Sequence, residues 1–242
     1  MPHVLQPSQY CGINEGTVFE TIATVCDDVA YANVTRTPMC VVKIDFKEAF
    51  DKISHSYLFT ILKKYGFSEK FQQRIRSMYE NATSTIQING HQSSPIPIRS
   101  SVRQGCPMSM LLYTFCLNPL LCNLEKKQTG IQIRQSDPQT AVVAYADDVT
   151  KFVTKNNDIQ IPQDALRCSE AASGAKVNIG KSKAIAIGPW DTSVTIMNIP
   201  YHTETKILGF HITSTANGSA IRAGPPWRTR SEHRREINKT EY

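Results

Sequence analysis

The chain has 242 residues, of which 40% are hydrophobic and 20% are charged, and its formal net charge at pH 7 is +6. This composition is typical of a folded protein with one sizeable domain or two small ones, and it excludes a wholly disordered chain. The positive charge favours an anionic partner, of which nucleic acid is the commonest.

Seven cysteines are scattered through the chain, and no CxxC pair occurs. We interpret them as reduced core thiols of an intracellular protein of the nucleus or cytoplasm, not as disulfides or a zinc site. The N-terminus lacks the basic and apolar regions of a secretion signal. No apolar stretch approaches the roughly 20 residues that a membrane-spanning helix needs, so we expect neither secretion nor a membrane partner.

In chain order, the first predicted helix covers residues 15–31, where isoleucine and valine recur on one face. Residues 39–46 are rich in β-branched side chains and predict a buried strand with Asp45 at its end. Ser54 and Ser68 are each placed to cap a further helix.

A hairpin is predicted next, from residues 85–88, an Asn-Gly turn and a return strand at 96–98. Residues 108–127 predict a largely apolar helix, which Pro119 should kink or split. Residues 131–133 and 141–145 predict a strand pair that leads into an Asp-Asp turn.

The following segment predicts a helix over residues 158–172 with Gly174 as its stop signal. Three later strands are predicted, the middle one weakly, over 183–187, 194–196 and 207–212. Residues 214–242 are rich in arginine and lack apolar periodicity, so we interpret them as a basic, disordered tail behind a domain of residues 1–213. The mixed order of strands and helices predicts an α+β fold, an antiparallel sheet backed by helices.

Asp147 and Asp148 are adjacent at the turn between two β-prone segments. Taken alone, they fit a solvated hairpin turn better than a metal site. Adjacent carboxylates raise each other's pKa unless a cation neutralises them. If the strand that ends at Asp45 is a neighbour in the same sheet, three carboxylates meet at one edge, which suits Mg²⁺ or Mn²⁺. Two such ions form a clamp for in-line phosphoryl transfer.

Six short motifs occur in order along residues 5–212. They are QYCG (9–12), KIDFKEAFD (43–51), RQGCPMS (103–109), YADD (145–148), SGAKVNIGKS (173–182) and ILGF (207–210). Together they resemble the reverse transcriptase domain of LINE-type (non-LTR) retrotransposons. One Asp-Asp pair is weak evidence, whereas six ordered matches are strong. The resemblance implies a right-hand polymerase palm with partial fingers.

Carried over motif by motif, the resemblance implies that Asp45, Asp147 and Asp148 are the catalytic carboxylates and hold two Mg²⁺ or Mn²⁺ ions. The backbone carbonyl of Phe46 would face the ion that carries the triphosphate. Phe50 would lie under the sugar as a steric gate against the ribose 2′-OH, the group that distinguishes RNA precursors from DNA precursors.

Three more nucleotide-binding residues follow from the resemblance. Gln104 and Gly105 would lie along the incoming dNTP and the template base, and Lys181 would approach the triphosphate as a cation or proton donor. The implied activity is an RNA-directed DNA polymerase, in which the 3′-OH of a DNA primer paired with an RNA template attacks the dNTP. Template binding would be mostly electrostatic.

Two alternatives remain open. The resemblance implies a domain shortened at both ends, without the upstream fingers and the helical thumb, so the chain fits an inactive palm that at most binds nucleic acid. An RNA-dependent RNA polymerase is a weaker alternative, because Asp51 supplies a second acid after Asp45.

Overall fold

The computed structural model describes residues 5–11, 16–102, 106–125, 130–134 and 139–214, together with the backbone of residues 221–222. The helices are α1 (Val18–Thr35), α2 (Ala49–Lys52), α3 (His55–Lys64), α4 (Glu69–Tyr79), α5 (Ser109–Glu125) and α6 (Gln160–Ser173). The strands are β1 (Met39–Ile44), β2 (Phe46–Lys47), β3 (Thr83–Ser84), β4 (Gln87–Ile88), β5 (His91–Gln92), β6 (Ile96–Pro97), β7 (Val142–Tyr145), β8 (Asp148–Val153), β9 (Lys176–Val177), β10 (Lys183–Ile187), β11 (Glu204–Ile207), β12 (Phe210–Thr213) and β13 (Ile221–Arg222).

The ends of the helices follow from local side-chain chemistry. Thr17 and Glu20 form a capping box at the start of α1, which satisfies two backbone groups that the helix itself leaves unpaired. The hydroxyls of Ser54 and Ser68 accept hydrogen bonds from the first turns of α3 and α4. Gly174 ends α6 with a φ of 86°, a left-handed conformation that glycine adopts without steric cost. The predictions for these helices are confirmed.

A four-stranded sheet of order β10-β1-β8-β7 forms the centre of the molecule. All three ladders are antiparallel, and β1 is flanked by β10 and β8. Side chains alternate along β1, so that Val42 and Ile44 face a core built with α3, α4, α5 and α6. Met39 and Val41 face a second core built with α1 and the β11–β12 hairpin. The sheet is therefore buried on both faces, and the predicted α+β class is confirmed.

Three predicted strands differ from the structure. The Asn-Gly turn is correct, but the strand that returns from it is β5, directly after the turn, and residues 96–97 pair with β3 further out. Residues 131–133 contribute a single bridge, between Ile131 and Thr140, so the partner of β7 in the hairpin is β8. Residues 194–196 do not form a strand.

The predicted strand at residues 207–212 is a hairpin. Its turn is Leu208-Gly209, with φ values of 47° and 93°, which match the type I′ turns of tight hairpins. Isoleucines on both sides of the turn made the segment look like one apolar run.

Helix α5 continues through Pro119 without a break, so the predicted split is wrong. A proline inside a helix costs about 3 kcal/mol, because it removes one hydrogen bond and crowds the preceding turn. Three leucines that follow it, Leu120, Leu121 and Leu124, are all buried in the core. Burying each leucine contributes about 1.5–3 kcal/mol, which is enough to hold the helix together.

All seven cysteines are free thiols, but only Cys11, Cys40 and Cys116 are buried and Cys168 is exposed, so the prediction of core thiols holds for part of the set. No helix in the described part of the chain is long and apolar enough to cross a membrane. Within the segment predicted to be a tail, the backbone of Ile221–Arg222 pairs with β12. Residues 215–220 and 223–242 lie outside the described residues, so the tail stays a prediction.

Candidate active site

Asp147 lies at the tip of the β7–β8 hairpin. Tyr145 pairs with Asp148 across the ladder, which leaves Ala146 and Asp147 as a two-residue turn. Ala146 has a φ of 55°, a left-handed value that residues with a Cβ adopt at a cost of about 1–2 kcal/mol. The strained residue therefore directly precedes Asp147 in the turn.

Asp45 reaches the same end of the sheet from the neighbouring strand. It follows Ile44, whose partner across the β1–β8 ladder is Val149, the residue directly after Asp148. Asp45, Asp147 and Asp148, which we call the acidic edge, therefore lie together at one end of β1 and β8. The sequence left open whether these strands are neighbours, and the pairing register supplies the answer.

The charges on the acidic edge act on one another. The pKa of Asp147 is raised, first because the surrounding protein withdraws part of its hydration, and further because Asp148 and Asp45 repel its negative charge. Lys43 opposes this shift. A divalent cation would relieve the repulsion, as expected of carboxylates that share a metal ion.

Asp148 has a protein cation as its partner. Lys43 Nζ lies 3.0 Å from Asp148 Oδ1, and it also donates a hydrogen bond to the carbonyl of Lys206 in β11, 3.0 Å away. Lys43 thus joins the acidic edge to the β11–β12 hairpin.

A loop at residues 178–182 packs against the backbone of Asp45. The amide of Asn178 donates to the Asp45 carbonyl over 2.7 Å, and the buried hydroxyl of Ser182 accepts from the Asp45 amide over 3.0 Å. The amide of Lys181 closes the loop on the Asn178 carbonyl, while its side chain is exposed to solvent. Both backbone groups of Asp45 are therefore held, and Lys181 has freedom to reach outward.

Phe46 and Phe50 lie on the helix side of this region. Phe46 belongs to β2 and pairs with Val177 of β9. The ring of Phe50 stacks on Tyr113 of α5, with ring centroids 4.3 Å apart. Burial raises the pKa of the Tyr113 hydroxyl, and the charge of Asp147 raises it further, which places Tyr113 within electrostatic reach of the acidic edge.

Gln104 and Gly105 lie outside the described residues. The residue just before this segment is Val102, which is buried and whose amide donates to the Phe50 carbonyl over 2.8 Å. The RQGCPMS motif (103–109) therefore begins directly after a residue that is hydrogen-bonded to Phe50, the expected sugar contact.

The donor set fits a hard divalent cation, since carboxylate and carbonyl oxygens are the ligands that Mg²⁺ and Mn²⁺ prefer. Over the described ranges, however, no group of three or more His, Cys, Asp or Glu side chains is arranged to hold a metal ion. The carboxylate of Asp148 forms an ion pair with the ammonium group of Lys43. Asp45 and Asp147 are therefore candidate ligands, whereas one oxygen of Asp148, Oδ1, is already in contact with Lys43.

Three residues at the site were not identified from the sequence. Lys43 and Ser182 stand inside two of the motifs but carried no predicted role, and Tyr113 lies in an apolar helix outside them. The signal for Lys43 is a lone charge in a strand of otherwise apolar residues, which indicates a charged partner.

The chain is similar in sequence to proteins of mobile elements. It is 31% identical over 188 residues to a 149 kDa protein of transposon TX1 from Xenopus laevis, covering 78% of this chain and 14% of that protein. It is 31% identical over 150 residues to a Pol polyprotein of a type-1 R2 retrotransposable element from Popillia japonica, covering 61% of this chain and 21% of the relative. The chain therefore spans about a fifth or less of the length of these relatives.

The solved structures that share this fold include telomerases. Apo telomerase from Candida tropicalis, truncated from its C-terminal domain, aligns with a TM-score of 0.61 at 18% identity, over 90% of this chain and 41% of that one. Telomerase from Candida albicans, bound to a fragment of telomeric RNA, aligns with a TM-score of 0.57 at 13% identity, over 90% of this chain and 37% of that one. At these identities the likeness establishes the fold alone, a polymerase palm with fingers.

Residues 4–212 match the family described as reverse transcriptase (RNA-dependent DNA polymerase). This match covers the acidic edge, the Phe50 region and the β11–β12 hairpin. Divalent metal ions are used generally in this family. The chain belongs to the reverse transcriptase family, in the branch of non-LTR retrotransposons.

Proposed function

We propose that this chain is the palm of an RNA-directed DNA polymerase that extends a DNA primer on an RNA template. The observation that carries the proposal is the meeting of Asp45 with Asp147 and Asp148 at one end of neighbouring strands. Burial, and then the charges of Asp148 and Asp45, raise the pKa of Asp147. Carboxylates that meet in this way from distant parts of the chain are suited to hold cations for phosphoryl transfer.

Asp45 and Asp147 would hold two Mg²⁺ or Mn²⁺ ions, with Asp148 as a third ligand and the Phe46 carbonyl on the triphosphate side. When bound, such ions activate the attacking oxygen and stabilise the charge that develops on the phosphates. The chain's own contribution is to position: the 178–182 loop fixes the backbone of Asp45, and the hairpin turn presents Asp147.

Nucleotide selection would rest on Phe50. Its stacking on Tyr113 restricts the position of the ring, so a ribose 2′-OH would clash with it. Lys181, exposed on the loop that binds Asp45, is placed to reach a triphosphate, and Gln104 and Gly105 would complete the nucleotide site.

The RNA-dependent RNA polymerase alternative needs Asp51 to receive a 2′-OH. Asp51 Oδ1 already accepts a hydrogen bond from the Ser101 hydroxyl, 3.2 Å away, and this disfavours that role. We propose further that residues 1–213 form the polymerase domain and 214–242 a basic tail. The seven free thiols support an intracellular location, the nucleus or the cytoplasm.

The test is primer extension by the full chain on an RNA template with a DNA primer, in Mg²⁺ or Mn²⁺, with dNTPs and rNTPs supplied separately. We expect extension with dNTPs that is abolished in Asp147→Asn. Asp164→Asn is the matched control, since Asp164 is exposed on α6 and accepts a hydrogen bond from Gln160 on the same helix. Its activity should equal that of the parent chain.

Each other result identifies an alternative. Preferential extension with rNTPs would establish an RNA polymerase and overturn the proposal. If the chain is folded, as cooperative unfolding would show, and still extends no primer, the inactive palm is the remaining alternative. Its binding to an RNA–DNA duplex is then measured directly.

A further inference from the structure

The segment before α1 makes a single parallel bridge to the outer edge of β7. The amide of Ala144 donates to the carbonyl of Ser8 over 2.8 Å, and the amide of Tyr10 donates to the Ala144 carbonyl over 2.9 Å. The bridge between Gln9 and Ala144 is parallel. The bridge pairs the outer edge of β7 at Ala144, and it brings Gln9 to the turn that holds Asp147.

The side chain of Gln9 binds both polar groups of the Ala146 backbone. Gln9 Oε1 accepts from the Ala146 amide over 3.2 Å, and Gln9 Nε2 donates to the Ala146 carbonyl over 3.4 Å. The same Oε1 also accepts from the amide of Cys11 over 3.0 Å. Gln9 is only 1% exposed, so these bonds form in a place that water does not reach.

The turn needs such a partner. Ala146 combines a left-handed φ of 55° with 6% exposure, so its amide and carbonyl cannot rely on water. A primary amide offers one acceptor and one donor at the spacing of a peptide group, which Glu, Met and Leu do not match. Gln9 thus holds the two peptide groups on either side of the Ala146 Cα, and the second of them joins Ala146 to Asp147.

We propose that Gln9 is a positioning residue that fixes the Ala146 turn and thereby aims the Asp147 carboxylate at Asp45. The Gln9 side chain is buried and bonded to backbone groups, so its effect would pass through the backbone of the turn. The inference rests on the proposed function for its kinetic consequence. Its structural consequence, an ordered turn and an intact metal site, is measurable without polymerase activity.

The test compares Gln9→Met with Gln6→Met in the full chain. Gln6 lies on the same segment and also uses its side chain, since Gln6 Nε2 donates to Cys122 Sγ over 2.9 Å, but it does not touch the turn. Gln9→Glu is a second variant, which keeps an acceptor for the Ala146 amide and loses the donor for its carbonyl. Two readouts are made on each protein: hydrogen exchange at the Ala146 amide, and the affinity for Mn²⁺ alone by electron paramagnetic resonance.

In Gln9→Met we expect exchange at the Ala146 amide to accelerate on the order of tenfold, as the loss of a buried hydrogen bond predicts. Mn²⁺ binding should weaken, while Gln6→Met leaves both unchanged and Gln9→Glu falls between them. If the chain extends primers, Gln9→Met should lower kcat and leave the dNTP KM unaltered.

The proposal is overturned if Gln9→Met and Gln6→Met exchange and bind Mn²⁺ alike, or if exchange rises evenly along β7 and β8 instead of at the turn. Because neither readout depends on catalysis, a chain that proves inactive in primer extension still tests Gln9.

Discussion

Lys43 and Asp148 lie 3.0 Å apart on adjacent strands of the central sheet, each about a quarter exposed or less. The same ammonium group donates to the carbonyl of Lys206 in the β11–β12 hairpin. One lysine therefore both neutralises part of the acidic edge and ties a separate hairpin to it.

We expect Lys43→Met to bind Mn²⁺ on the order of threefold more tightly, because removing a cation makes the acidic edge more negative and frees Asp148. The same change should lower the free energy of unfolding by about 1 kcal/mol, since the bond to the Lys206 carbonyl is lost. Mn²⁺ titration and urea unfolding measure the two effects.

Lys47→Met is the control for this prediction. Lys47 lies in β2, is exposed, and points away from the core, so both quantities should stay at the parent values. Weaker Mn²⁺ binding by Lys43→Met would contradict this prediction. It would mean that Lys43 positions the carboxylates for the metal and does not compete with it.

Phe50→Val should raise the use of rNTPs relative to dNTPs on the order of tenfold, about 1.4 kcal/mol of discrimination. The reason is the loss of the ring that is held against Tyr113 at 4.3 Å. Single-nucleotide incorporation with each nucleotide type measures the ratio.

Phe71→Val is the matched control, because Phe71 stacks on Phe67 with centroids 4.9 Å apart and so loses an equivalent contact in α4. It should leave the ratio unaltered. An unchanged ratio in Phe50→Val would remove the assignment of Phe50 as the steric gate.

Lys151 gives a pH-dependent stability. It is 1% exposed and donates to the Leu124 carbonyl at the end of α5, and burial lowers its pKa to about 8 despite the opposing charges of Glu125 and Asp158. An unfolded lysine titrates near 10.4, so between these values the unfolded chain binds more protons than the folded one. The Lys151 contribution to the free energy of unfolding therefore increases as pH rises from about 8 to 10.4.

The measurement is the difference in free energy of unfolding between the parent chain and Lys151→Met at several pH values. The parent should gain on the order of 3 kcal/mol relative to the variant across this window. Lys155→Met, which removes an exposed lysine, should follow the parent. A difference that is flat with pH would mean that Lys151 keeps its ordinary pKa in the folded chain.

Gly174→Ala should destabilise the fold more than Gly66→Ala. Both glycines have positive φ values, 86° and 72°, but only at Gly174 would a Cβ meet another group, the Lys52 carbonyl at 2.9 Å. We expect about 1 kcal/mol for Gly66→Ala from the backbone alone, and about 2–3 kcal/mol for Gly174→Ala. Equal losses in urea unfolding would show that α2 moves aside without cost.

Most helices and the central strands were predictable because their signals are local. Ser54 and Ser68 cap helices through atoms three residues away, and the Asn-Gly turn at 89–90 sets its own conformation. The split at Pro119 was predicted wrongly, because the leucines after it are buried in a core shared with residues far away in the chain. The periodicity predicted one strand over 207–212 because these residues are apolar except for His211, so the turn at Leu208-Gly209 carries no polar signal.

The candidate site depends on contacts that sequence spacing does not encode. The sequence identifies Asp45 and Asp147 as separate acidic residues. They are brought to the same end of the sheet by the strand register in which Ile44 pairs with Val149. Asp148 is paired with Lys43, and Ala146 is bound by Gln9. In each pair the two residues are more than 100 positions apart in the chain.

The sequence alone determined the α+β class, the acids and the order of the motifs, because periodicity, caps and motif residues are properties of short segments. The tertiary structure decided which strands are neighbours, which charge Asp148 faces and what holds the turn at Ala146. The physical reason is that strand register and buried hydrogen bonds are selected by packing on both faces of the sheet. That packing is a property of the whole chain and not of any stretch of it.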